Sequence, residues 1–271
     1  MKKITAIIMA VLLSIGSMSV TAMAEDEIKV TLRIEGVAGN FFYDTVTTSN
    51  SNLGDFFEQV NEDYDISIVI EEGDWGRYLT DINGDKAGDY GDYSGWLFTV
   101  NGEDPGVGMD GVELNDGDSV VLYYGDPYGV GFQYPETDTS AIDEGIIAFT
   151  SKDTVYDENY NASLVVNPVA GATVNWYTDD TNYTTYTTDD SGKVTIDEEY
   201  LTNGTHKVTI EKYADNGVPV VLRLVPDYTV TVEKDVDTAD ASGAAMYAVI
   251  IVAMAVVFTV TVLYKKRVYE K

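Results

Sequence analysis

The sequence predicts an α+β domain followed by an all-β antiparallel sandwich, the pair exported and tethered by a single transmembrane helix. Three observations predict it. Residues 25–132 run strand, strand, helix and then several strands, which implies one helix packed on a sheet. Residues 146–234 hold about seven short strands between turn signals, the pattern of a sandwich. Uncharged apolar segments stand near both ends of the 271-residue chain.

The chain opens with Lys2 and Lys3, an apolar run over 4–15, and Ala22-Met23-Ala24 as a small-x-small cleavage site. That order predicts a secretory signal peptide over 1–24. At the other end, residues 244–264 are uncharged and long enough to cross a bilayer as one helix. Lys265, Lys266 and Arg267 follow at once, and basic residues stay on the cytoplasmic side. The expected topology is a single-pass cell-membrane protein with an extracellular ectodomain. Residues 235–243 form a linker to the span and 265–271 a cytoplasmic tail. The same ending resembles a sortase cell-wall-sorting tail, with Thr238-Ala239-Asp240 before the span but no Leu-Pro-x-Thr-Gly pentapeptide. Retained anchoring is therefore the expectation, and sortase transfer the lesser alternative. An exported animal ectodomain of this size would often carry disulfides, whereas this chain has no cysteine. A Gram-positive cell surface fits better.

Charge narrows the partners. The chain has 16 basic and 46 acidic residues, a formal net charge of −30. Because the two termini hold part of the basic complement, the middle is more acidic still. Such a surface repels phosphate backbones, so nucleic acid is excluded as a partner.

Within the first domain, residues 28–36 place Ile28, Val30, Leu32 and Ile34 on one face of a half-buried strand. Residues 41–49 read as its hairpin partner. Leu53, Phe56, Phe57 and Val60 then fall at helical spacing behind Ser and Asn capping candidates. Strands follow over 66–72, 77–82, 96–100 and 119–124, the overall order being close to a β-grasp pattern with one helix on a mixed sheet. Asn101-Gly102 is a tight-turn signal, since Gly accepts positive φ without steric cost. Residues 127–145 are rich in Pro, Gly and acids, and 133–145 reads as the linker. In the second domain strands are expected at 146–151, 162–167, 172–178, 193–197, 205–213, 218–225 and 228–233.

These residues carry a resemblance. VTLRIEG, LGDFFEQ, YLTDING, SGWLFTVNG and VELNDGDSVVLYY, in that order, resemble the transcobalamin C-terminal-like domain. The matching elements are Gly95, Trp96, Val100, Asn101 and Gly102, and then Asp116, Gly117, Asp118 and Val120. The resemblance implies a domain that closes over a corrinoid, with a cobalamin-like molecule as the ligand. No stretch of the sequence reads as the helical barrel that faces this domain in cobalamin carriers. The later AGATVNWYTDD, TTDDSGKVTI and LTNGTHKVTIEKY resemble surface modules of the collagen-adhesin-B or carboxypeptidase-regulatory type, which implies a spacer.

Little in the sequence reads as chemistry. Asp81, Asn83, Asp85, Asp89 and Asp92 share one loop, but Lys86 stands where a calcium-binding EF-hand needs Gly. An acidic solvated loop is the expectation, with no metal. The lone His206 has no second histidine to complete a zinc site or a triad, and no catalytic residue is assigned. Aromatics cluster instead: Tyr90, Tyr93, Trp96 and Phe98, with Asn101 at the adjoining turn, are the ligand-binding candidates, because exposed aromatics on Gly-rich loops stack on flat ligands. The expected function is a non-enzymatic surface binding protein that captures a small molecule for a membrane importer. The alternative is an adhesion or structural component contacting proteins or glycans. N-terminal sequencing of the mature protein is expected to start at Glu25; an uncleaved Met1 would refute the signal peptide.

Overall fold

The computed structural model describes residues 27–91, 93–159 and 161–234. The expected signal peptide, the 235–243 linker, the 244–264 span, the 265–271 tail and Asp92 lie outside the described residues. Strand accounts for 48% and helix for 8% of what is described, so the protein is mostly β, with several antiparallel sheets. No helix among the described residues is long and apolar enough to cross a membrane.

The first sheet joins β1 (Ile28–Glu35), β2 (Asn40–Thr48), β6 (Gly95–Val100) and β7 (Ser119–Gly125) in the order β2-β1-β7-β6. β1 and β7 are parallel neighbours at its centre, and the outer pairings are antiparallel. Alternation along β1 sends Val30, Leu32 and Ile34 to one face. There they meet Val120 and Leu122 of β7 and the apolar side of α1 (Leu53–Asp63). Leu53, Phe56, Phe57 and Val60 are all fully buried, as their spacing predicted. The helix starts where it does because the Asn52 side-chain oxygen accepts the backbone N–H groups of Gly54, at 2.9 Å, and Asp55, at 3.4 Å.

A second sheet, β3 (Ile68–Gly73), β4 (Gly76–Ile82) and the short β5 (Asp85–Lys86), adds Ile68, Leu79 and Ile82 to the same core. Arg77 ties this sheet to α1. Its guanidinium lies 2.8 Å from Asp55, 2.9 Å from Glu58 and 2.6 Å from Asp110, the last in a 3-10 turn at Met109–Gly111. Gly76 must be glycine here: its φ is +101°, and a Cβ would sit 2.7 Å from an Asp110 carboxylate oxygen.

Two antiparallel sheets make up the rest. One runs β10 (Ala162–Pro168), β9 (Ile146–Tyr156), β13 (Lys193–Thr195), with β8 (Pro135–Asp138) also paired to β9. The other runs β12 (Tyr183–Thr187), β11 (Thr173–Tyr177), β14 (Gly204–Glu211), β15 (Thr229–Val232). Ile147 and Phe149 from the first and Val174, Trp176, Val208 and Ile210 from the second share one core. Trp176 is fully buried, and its indole N–H donates to the Tyr200 carbonyl at 3.1 Å. His206 stacks on it at 4.5 Å between ring centres, its two ring nitrogens facing the carbonyls of Tyr177 and Thr202. The lone histidine is thus a packed core group.

Three local expectations need correction. The 133–145 segment contains a strand, β8, because its backbone extends the β9 ladder. Residues 218–225, expected as a strand, form only isolated bridges, Gln133↔Val221 and Tyr213↔Pro219. Pro219 has no N–H to give a ladder; Val220 accepts from the Gln133 N–H and donates to the Lys212 carbonyl, and Leu222 donates to the Gln133 carbonyl. β12 was missed, since its Tyr and Thr residues lack the aliphatic alternation that marked its neighbours.

The Arg77 node yields a pH dependence. The backbone N–H of Arg77 first, and then its guanidinium, hold the Asp110 carboxyl below the ordinary carboxylate range against the opposing desolvation. A depressed folded value stabilises the fold above the unfolded pKa, about 4, and that stability is lost as pH falls through the depressed value. Thermal melts from pH 6 downward are expected to show this acid loss, and Asp110→Asn to flatten it. Equal acid slopes in both proteins would refute the assignment.

Candidate functional site: the junction between the two modules

The sequence makes the outward residues of β1 look solvated, and at its start they are. Lys29 is exposed and Thr31 half-buried, yet Arg33 is only 5% and Glu35 only 3% exposed. The second module covers them. Arg33 donates from Nε to Glu35 at 2.8 Å, and its terminal nitrogen, 2.7 Å from the same carboxylate oxygen, donates to the carbonyls of Arg223 and Leu224 at 2.6 and 2.9 Å. Arg223 reaches back to the other Glu35 oxygen at 3.3 Å and to the carbonyls of Gly36 and Val37 at 3.0 and 2.7 Å. It also donates to the Tyr213 hydroxyl at 2.6 Å, which itself donates to the Val37 carbonyl. Glu211 lies 3.9 Å from the Arg223 Nε, so two cations face two carboxylates. Every group of this buried network has partners, the condition under which buried charge is tolerated.

Aromatic packing continues the seam. Tyr123 of β7, on the Glu35 face, stacks on Phe132 at 4.6 Å, and its hydroxyl meets that of Tyr134. Burial pushes the Tyr123 and Tyr134 hydroxyls above the usual phenol range. Val37, Tyr124 and Val218 form a small core of their own, flanked by Tyr90 and Trp96.

The five candidate residues divide accordingly. Tyr90 is half-buried against Tyr124, and its carbonyl accepts the Asn216 side-chain amide from the second module. Trp96 is half-buried edge-on to Tyr124 and donates its indole N–H to the Asp85 carbonyl at 2.8 Å. Phe98 packs toward Phe57 in the main core. Asn101 holds a turn: its φ is +55°, and its side chain bonds Asp118 at 2.8 Å and the Ser119 N–H at 3.0 Å. Tyr93 is 68% exposed. The structure brings Tyr90 and Trp96 together around Tyr124, places Phe98 in the core and Asn101 at a turn, and leaves Tyr93 facing solvent.

The acidic loop is similarly committed. Asp81 accepts the Gly84 N–H, Asn83 the Ser67 N–H and Asp85 the Val37 N–H. Among the described residues no three His, Cys, Asp or Glu side chains converge on a point.

Tyr93 shares its end of the sheet with Tyr128, which is 81% exposed, because Gly95 and Gly125 are paired. Next to it an open depression of about 400 Å³ runs along the junction, lined by Pro127, Val130, Gly131, Phe132 and Gln133 on one side and Asp153, Lys212 and Val220 on the other. Sequence reasoning sees Tyr128 within the aromatic cluster without nominating it, and misses Arg33, Glu35 and Arg223. A signal existed for Arg223 alone: a single cation inside the apolar run VPVVLRLV needs a buried partner.

Residues 51–126 match a domain of unknown function, DUF4430. The matched stretch lies within the module that resembles the transcobalamin C-terminal-like domain. Among solved structures, a Ruminococcus gnavus protein provisionally described as metal binding is 21% identical, with a TM-score of 0.31, over 37% of this chain and 99% of its own. Haptocorrin in complex with Cbi is 22% identical, with a TM-score of 0.34, over 38% of this chain and 26% of its own. No curated protein matches the chain.

Removing one partner of a buried ion network leaves an uncompensated charge, at a cost of about 3–5 kcal/mol. Glu35→Ala is expected to lower stability by that order, read from the urea midpoint, and to speed proteolysis within 126–134. An unchanged midpoint would show that the junction does not hold the modules together.

Proposed function

We propose that this protein is a single-pass, membrane-anchored binding protein of a Gram-positive cell surface. In this reading the first module, a β-grasp-like domain, captures a small flat molecule, and the β-sandwich holds it off the membrane as a spacer. The resemblance to the transcobalamin C-terminal-like family makes a corrinoid-like compound the leading ligand, passed on to a membrane importer without chemical change.

One observation carries the spacer part of the reading. β14 runs from Gly204 to Glu211, and its Glu211 end leads into Lys212 and Tyr213 at the junction. The described chain ends beside the opposite end of that strand, where Lys234 exchanges hydrogen bonds with Asn203. A tether continuing from there leaves the molecule about 25 Å from the junction, at 3.2–3.4 Å per strand residue. The first module would then face away from the membrane. The exposed Tyr93 and Tyr128, on loops braced by the buried junction, are the side chains best placed to stack on a ligand.

A second reading, adhesion to proteins or glycans, is favoured by Trp75. It is 99% exposed on the turn between β3 and β4, at the end of β4 next to Asp110. The opposite end of β4 leads to Asp85, which lies under Trp96 near the junction.

Titration of the ectodomain, residues 25–243, with cobalamin and with cobinamide tests the leading reading by the corrinoid absorption spectrum. Binding in the micromolar range or tighter is expected, weakened in Tyr93→Ala without loss of fold. Silence at tens of micromolar would sink the corrinoid reading and leave adhesion.

A further inference from the structure

Among the described residues β10 is the outer strand of its sheet, hydrogen-bonded to β9 along one edge and to no strand along the other. Its seven residues, ASLVVNP, include no charge. Leu164 and Val166, on one face, are 63% and 56% exposed, and Val165, on the other, is 38% exposed. The β9–β10 register runs from Pro168↔Thr150 to Ala162↔Tyr156 without a bulge. An aliphatic edge of this kind is a template for pairing, and soluble proteins ordinarily blunt one with charge, proline, bulges or brevity.

The other edges are covered or blunted: β6, the far edge of the first sheet, is also uncharged, but none of its residues is exposed. β3 carries Glu71 and Glu72 and a register shift at Val69/Ile70. β2 carries Asp44 and pairs through a shift at Ile34/Glu35. β15 is four residues long with both valines buried, and β12 presents only Tyr and Thr. Of the strands described, β10 is the one that joins an uncharged sequence to exposed aliphatic side chains. Its proline, Pro168, stands at the end and leaves 162–167 open.

We propose that β10 is a self-association edge, on which a second copy of this chain pairs its own β10 antiparallel about a two-fold axis at Val165. Charge selects this occupant. Copies that each carry −30 repel one another over most of their surface, but β10 itself carries no charge, and the carboxylate nearest its centre, Asp153 opposite Val165 on β9, accepts the Asn167 side-chain amide within the chain. The nearest ion pair, Lys152 with Glu136 at 2.5 Å, is neutralised within the chain. A cationic partner, by contrast, would be drawn to the acidic surfaces and would gain nothing from this strand. The register is also self-complementary. A two-fold at Val165 sets Leu164 of each copy opposite Val166 of the other, grouping four aliphatic side chains on one face. On the reverse face it sets Ser163 opposite Asn167. The result is one sheet running continuously through both copies, with the free edge of each β10 satisfied by the other.

The absence of cysteine makes the test clean. In the full-length protein in native membranes, Val165→Cys is expected to form a disulfide-linked dimer on mild oxidation. Its yield should be several-fold above that of Thr187→Cys on the β12 edge, the control for chance collision and for association through other surfaces. Adding Leu164→Lys and Val166→Lys to Val165→Cys places like charges across the axis and is expected to reduce crosslinking to the control level. Both positions are exposed, so the fold of each copy is retained. Equal yields for Val165→Cys and Thr187→Cys, or crosslinking that survives the two lysines, would overturn the proposal.

Discussion

The Arg33–Glu35–Arg223 network is the constraint on which the arrangement of this protein depends. Two guanidinium groups and a carboxylate are withdrawn from water, and Coulomb attraction alone rarely repays that loss. Backbone carbonyls from both modules complete the account: Gly36 and Val37 from one, Arg223 and Leu224 from the other. Arg33 and Glu35 pair within β1, but Arg223, the second Glu35 oxygen and the terminal nitrogen of Arg33 find these hydrogen bonds only if the two modules are docked. The network therefore acts less as a source of net stability than as a specification of one relative placement, since any other leaves buried charge unpaired.

Apolar packing supplies the driving force beside it. Tyr123, Phe132 and Tyr134 close one side of the seam, and Val37, Tyr124 and Val218 the other. The segment after β7 turns back on itself through Asp126, whose carboxylate accepts the Gly129 N–H at 2.6 Å, and this lays Phe132 against Tyr123. What the composition of 127–145 suggests is a flexible connection is a folded strap. The binding surfaces on the first module are consequently carried on a braced body. Aromatic contacts gain most from such bracing, because little side-chain or loop entropy is then lost on binding.

Local pattern was read well wherever one face of an element met one core. The helix over 53–63 was legible from four residues and a cap, and β1, β6 and β7 from their alternation. The candidate site was read less well, for a definite reason. Aromatic clustering says that rings are near one another in sequence, but a Trp that stacks on a ligand and a Trp that packs on Tyr124 have the same sequence signature. Trp96 and Phe98 turned inward, whereas Trp75 and Tyr128, less conspicuous among their neighbours, are the more exposed rings.

By itself, then, the sequence determined the apolar faces, the helix and its cap, the tight turns and the strong acidity, because these depend on residues a few positions apart. That Arg33 and Glu35 are interior follows from the folded chain alone. Their partners stand about 190 residues away in the chain, at Arg223 and Leu224, and no local periodicity records a contact of that separation. The free edge of β10 is of the same kind. Its apolar run reads as an ordinary strand, and only the sheet order reveals that nothing in the described chain covers it.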